Sequence, residues 1–202
     1  MPSKETIVMS SKIKSKPAVV LVNMLKDMIL HGKPFPMPPE FKEEVIPRIA
    51  ELLENARKMK IPIVYVCDAH RPNDPEFSDF PVGAEHCVRG TGGEEVISEV
   101  KPQPGDYKVV KRRFSGFFGT DLDILLSELG VDTLIFAGRP TNVCVLYTVA
   151  DAFQRGYTVI AAQDCLYSKT KEYQQSGLDA MFFARKITLD QFVREFGGGG
   201  VE

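Results

Sequence analysis

Continuous apolar runs alternating with amphipathic segments confine this chain to few folds. Ala18 to Val22, Ile61 to Cys67 and Val131 to Ala137 are apolar nearly throughout, as strands are when a parallel sheet buries both of their faces. Between the first two of these runs, Ile46, Ile49, Leu52, Leu53 and Ala56 recur at helical spacing, the mark of a helix with one buried stripe. Strand and helix in alternation predict a three-layer, doubly wound α/β sheet, mostly parallel; right-handed crossovers limit its topology, and the strand order 3-2-1-4-5-6 is consistent with strand ends that converge on one site. Strands are expected at 17–23, 62–67, 107–111, 132–138, 157–163 and 185–188. Helices are expected at 41–59, 120–129, 143–155 and 172–184, with a last turn at 188–195 and a long loop at 68–92. One domain spans 17–195, between an N-terminal arm at 1–16, mobile or at a subunit interface, and a glycine-rich tail at 196–202.

Composition removes several function classes. A net charge of −2 over 202 residues provides no basic footprint for nucleic acid or for an anionic membrane. No apolar stretch reaches the length of a membrane span or a signal-peptide core. The four cysteines, Cys67, Cys87, Cys144 and Cys165, show no paired spacing, so the expected compartment is the cytoplasm. No G-x-G-x-x-G follows the first strand, so no nucleotide cofactor is expected. The partners expected are a small-molecule substrate and further copies of the chain, as a dimer or tetramer.

In open α/β sheets ligands bind beyond the carboxyl ends of the strands, and the residues at those ends are reactive ones. Cys144 follows the strand ending at Gly138 and opens a helical run. A thiol facing the unsatisfied N–H groups of a helix N-terminus has its thiolate favoured and its pKa lowered. Asn23 and Lys111 close two other strands. Asp68, His70 and the more distant His86 offer carboxylate and imidazole ligands suited to a divalent metal, Zn, Fe or Mn. Phe114 and Phe117, with Phe35 and Phe77, are candidates for the pocket wall. Arg112, Arg113 and Arg139 could hold a substrate carboxylate.

These segments together resemble the isochorismatase-like cysteine hydrolases, the superfamily of nicotinamidases, N-carbamoylsarcosine amidohydrolases, ureidoacrylate hydrolases and isochorismatases. The likeness runs from about Pro17 to Phe192 and rests on four segments in register: Val22 to Asp27, Asp68 to His70, Lys111 to Phe117, and Gly138 to Val145. It implies the isochorismatase-like, Rossmann-like fold and an Asp-Lys-Cys triad falling on Asn23, Lys111 and Cys144. It also implies a metal segment through Asp68, His70 and His86, where the ion orients the substrate. Two positions depart from the pattern. An Asn side chain cannot accept and return a proton as the family aspartate does. Pro140 falls in the turn that carries the oxyanion hole and has no N–H to donate, which leaves the amide of Cys144. The Arg139–Pro140 bond is expected to be cis.

The resulting expectation is a cysteine hydrolase that cleaves a C–N bond of a small amide or ureido compound through a thioester. Its activity would be low because of Asn23, and Asn23→Asp would raise it. The rival expectation is a catalytically impaired small-molecule-binding or regulatory protein on the same scaffold.

Overall fold

Six strands carry the sheet in a computed structural model that describes residues 15–34, 37–79 and 84–198. The arm up to residue 14, Phe35, and the tail from residue 199 lie outside the described residues. The strands are β1 (Pro17–Val22), β2 (Ile63–Asp68), β3 (Tyr107–Lys111), β4 (Thr133–Gly138), β5 (Thr158–Leu166) and β6 (Arg185–Ile187). They run in the order β3-β2-β1-β4-β5-β6, with every neighbouring pair parallel. This is the expected topology, and the sheet is parallel throughout. The helices are α1 (Lys26–Ile29), α2 (Ile46–Lys58), α3 (Glu76–Asp79), α4 (Leu122–Glu128), α5 (Leu146–Gln154), α6 (Lys171–Ala180) and α7 (Leu189–Phe196). Two of them are preceded by a π-helical turn: Phe41–Val45 leads into α2 and Thr141–Val145 into α5.

The two-residue side-chain period of a strand sorts the core into two layers. From β1, Val19 and Leu21 join Ile49, Leu52 and Leu53 of α2 and Phe192 of α7 on one face. Ala18, Val20 and Val22 join Leu122 and Leu126 of α4 and Val149 and Ala152 of α5 on the other. α7 is set by a capping box, in which the Thr188 side chain accepts from the Gln191 amide and the Gln191 side chain accepts from the Thr188 amide, satisfying two end donors at once.

Three elements differ from the sequence expectation. β5 extends to Leu166, past the expected residue 163, because its pairing with β4 shifts register between Phe136 and Gly138. α1 is a short helix just beyond β1 that the apolar pattern does not announce. The long loop contains α3, and its two limbs meet at a bridge between His70 and Val88.

Two glycines fix how the strand ends meet. Gly138, at φ 105°, lies opposite Val22 in the β1–β4 register, and a Cβ there would fall 2.1 Å from the Val22 carbonyl oxygen. Gly177 of α6 lies against the turn before α5, and a Cβ would fall 2.8 Å from the backbone of Asn142. Both are close backbone approaches that only glycine permits.

Candidate active site

The carboxyl ends of β1, β2, β3 and β4 converge on one cavity of about 490 Å³, lined by Asp68, His70, Glu76, Phe77, His86, Arg113, Phe114, Arg139, Asn142, Cys144 and Tyr147 among others. Parallel strands deliver their last residues to the same edge. In the β2–β3 register Asp68 stands opposite Lys111.

Lys111 is 1% exposed and is the hub of the site. Its Nζ donates to Asp68 Oδ1, to the Arg113 carbonyl at 2.9 Å and toward Cys144 Sγ at 3.5 Å. The three donors of an ammonium are thereby all used. Burial opposes its charge, but Asp68 and Cys144 more than compensate and its pKa is raised. Asp68 is closed on its other side by Asn23, whose Nδ2 donates to Oδ2 at 2.8 Å and whose Oδ1 accepts from the Asp68 amide at 3.0 Å. Asn23 holds this position at φ 54°, a left-handed conformation that Asn tolerates better than most residues.

The carboxylate in contact with the lysine therefore comes from β2. β2 lies between β1 and β3 in the sheet, so its last residue is wedged between Asn23 and Lys111. An aspartate at position 23 would set a second carboxylate against Asp68, so Asn23→Asp bears on stability as well as on activity.

Cys144 is four residues past Pro140, within the π-helical turn, and is 5% exposed. Burial is the largest influence on its thiol and pushes it up to about 11, against the opposing pull of Lys111 and, more weakly, Arg139. The expected lowering by the helix end is thus outweighed by desolvation. The thiol still ionises more readily than Cys67, pushed up to about 12, and more readily than Cys87 and Cys165, which burial raises further. Arg139–Pro140 is a cis peptide. Around the sulfur, the amides of Thr141, Asn142, Val143 and Val145 are engaged by the Tyr167 carbonyl, Ser168 Oγ and, for the last two, the Pro140 carbonyl.

Asp68, His70 and His86 meet as expected, with ligand-capable atoms all within 4.8 Å of one another. A second group that the sequence reading does not assemble, His70 with Asp74 and Glu76, satisfies the same limit. His70 is 2% exposed, and neither of its ring nitrogens has a hydrogen-bond partner; Nδ1 lies 3.6 Å from Glu76 and 3.7 Å from Asp74. Burial lowers its pKa, which keeps the imidazole in the neutral form that binds metals. Orphaned buried nitrogens beside carboxylates and a second histidine are what a metal site looks like without its ion. The donor set fits a divalent metal.

Two of the expected wall residues are elsewhere. Phe117 is 6% exposed and belongs to the core, against Tyr157, with the Arg155 guanidinium over its ring. The reason is that the segment after β3 turns inward to pack on α5. Arg112 is drawn away from the cavity to Asp74, at 3.4 Å, and the wall is completed by Arg113, bound to Glu76 at 2.7 Å. Phe114 does line the cavity, against Tyr147 of α5. Among the residues the sequence reading misses, Glu76 is the most accessible to it, as the second carboxylate of Asp74-Pro75-Glu76 in a loop too long to be idle. Tyr147 has no such signal, because its helix face is decided by packing.

Known proteins resemble this chain in sequence and fold. The Isochorismatase domain model matches residues 17–191. The ureidoacrylate amidohydrolase RutB of Caulobacter segnis is 40% identical over 175 residues, covering 76% of this chain and 73% of that protein. An isochorismatase-like hydrolase from Alkaliphilus metalliredigens superposes with a TM-score of 0.82 at 38% identity, over 89% of this chain and 98% of the other. The pyrazinamidase of Pyrococcus horikoshii, solved in complex with zinc, gives 0.76 at 26% identity, over 86% and 99%. No described helix is long and apolar enough to cross a membrane. The chain belongs to the isochorismatase family, whose members are hydrolases acting on small molecules.

Proposed function

We propose that this protein is a cysteine hydrolase that cleaves a C–N bond of a small amide or ureido compound. The observation that carries the reading is the buried chain Asn23–Asp68–Lys111–Cys144 at the base of the cavity. Cys144 gives up its proton to the Asp68–Lys111 pair and its sulfur attacks the substrate carbonyl carbon. The developing oxyanion is met by the Cys144 amide, with the positive charge of Lys111 close by. The proton then passes to the departing nitrogen, the C–N bond breaks, and the acyl group left on Cys144, a thioester from an amide or a thiocarbamate from a ureido compound, is hydrolysed by water. Asp68 supplies the carboxylate that Asn23 lacks, and Asn23 holds it in place.

Asp68, His70 and His86 would hold a divalent metal, with Glu76 on the far side of His70. A carboxylate has about four lone-pair sites, so Asp68 can serve Lys111, Asn23 and an ion together. When bound, the ion polarises and orients a donor atom of the substrate. We place the protein in the cytoplasm as a homo-oligomer, and assign Phe114, Phe77 and Tyr147 to the substrate wall. The ureidoacrylate amidohydrolase among its relatives makes ureido acids the first substrates to try.

Intact mass spectrometry during turnover of an amide and ureido panel tests the reading. An acyl adduct on the wild type, absent in Cys144→Ala, is the expected result. The amide at position 23 favours a second reading, a binding protein on the same scaffold. Ligand-raised thermal midpoints with neither adduct nor product across the panel would select it.

A further inference from the structure

Arg139 is 2% exposed, lines the cavity that Cys144 lines, and among the described residues forms no ion pair with any carboxylate. Nη1 donates to the Met28 carbonyl at 3.0 Å, and Nε is buried with no partner. Three neighbouring cations are each answered by a carboxylate. Lys111 has Asp68, Arg112 has Asp74, and Arg113 has Glu76. Burial lowers the Arg139 pKa to about 10, so the group is still a cation at neutral pH. A desolvated charge without a counter-charge is costly to keep, and a guanidinium fork is shaped to take a carboxylate through two parallel bonds.

We infer that Arg139 is the anchor for a substrate carboxylate, so that the substrates are short acids bearing a terminal carboxamide or ureido group. The inference rests on the hydrolase reading and narrows it. Arg139 is five residues before Cys144 in the chain, on the same turn, so the acid end and the scissile carbonyl of one small molecule are held by a single segment. The alternative role for this charge is support of the Cys144 thiolate, and the two roles differ in what they discriminate. A carboxylate anchor separates acids from their neutral analogues, whereas thiolate support acts on all substrates alike.

Two matched pairs test this: succinamate against succinamide, and 3-ureidopropionate against N-propylurea. In the wild type, kcat/KM should favour the acid of each pair by about 10–100-fold, the range of a charge-assisted contact, and succinate should inhibit competitively. Arg139→Met should collapse that ratio toward unity, and Arg139→Lys should restore part of it. Equal losses for acid and neutral members, with slower iodoacetamide labelling of Cys144, would overturn the anchor in favour of thiolate support. Should Arg139→Met not fold, the wild type alone decides, since no preference for the acids and no succinate inhibition would also overturn it. The hydrolase reading fails separately. Succinate that raises the wild-type thermal midpoint and raises that of Arg139→Lys by less, with no turnover of either pair, would keep the anchor and remove the chemistry.

Discussion

Two walls of the cavity are built from equally buried polar groups and treat them in opposite ways. On the Lys111 side, the ammonium, both Asp68 oxygens and the Asn23 amide are joined in one hydrogen-bonded chain. Beside that chain His70 leaves both ring nitrogens, and elsewhere in the lining Arg139 leaves its Nε, without a partner. A buried polar group without a partner costs about 1–3 kcal/mol, more when charged, so the second wall lowers stability unless something binds. On the proposed reading the closed wall moves a proton between fixed partners, and the open groups are the receptor, an imidazole for a metal and a guanidinium for an acid.

The sharpest break in this contrast is Lys111→Ala, which leaves Asp68 buried without its cation. Loss of one partner of a buried ion pair costs about 3–5 kcal/mol, visible in the urea midpoint, and turnover should vanish. A fall in activity at unchanged stability would mean the wall is not closed as described. On the open wall the sign reverses, and occupancy should stabilise. Zinc at about 100 times its dissociation constant adds about 2.7 kcal/mol, and His70→Ala should abolish both this gain and the metal found by elemental analysis. A protein whose melting is indifferent to zinc removes the metal half of the receptor.

Asn23→Asp converts a satisfied hydrogen bond into two facing carboxylates, and a loss of about 1–3 kcal/mol is expected at neutral pH. One of the pair must have its pKa raised above the unfolded value. Such a group lowers stability above its unfolded pKa, and the loss is relieved as pH falls through the raised one. The deficit relative to wild type should therefore shrink on acidification, and a pH-independent deficit would place the new carboxylate away from Asp68. The smallest effect expected is that of Phe117→Leu. A hydrophobic swap in a core costs about 1 kcal/mol or less and should leave KM unmoved, whereas Phe114→Leu should raise it.

The sheet is legible in the sequence because a strand buried on both faces has few polar positions to blur it, as in β4, from Thr133 to Gly138, where every residue is buried. The strand ends are legible for the same reason: the first polar residue after such a run marks the cavity edge. Read from its motif alone, Asp68 is a metal ligand and nothing more. Yet the expected strand order already sets β2 between β3 and β1, and hence its end between Lys111 and Asn23, a neighbour relation that emerges only when topology and motif are used together. The raised pKa of the thiol is hidden, because desolvation depends on what closes over Cys144, and Phe117 cannot be assigned to core or wall without the path of the chain after Lys111. α1 and α3, four residues each, are too short to show a period.

The bare backbone of Gly177 bears directly on transplanting this chemistry to another scaffold. A graft of the nucleophile turn alone would lose the surface on which it is moulded, since α6 touches Thr141 and Asn142 with main chain and admits no side chain between. The smallest portable module is therefore the segment from Gly138 to Gly177, strand β5 included, and specificity redesign is freest in the walls that this module does not contain.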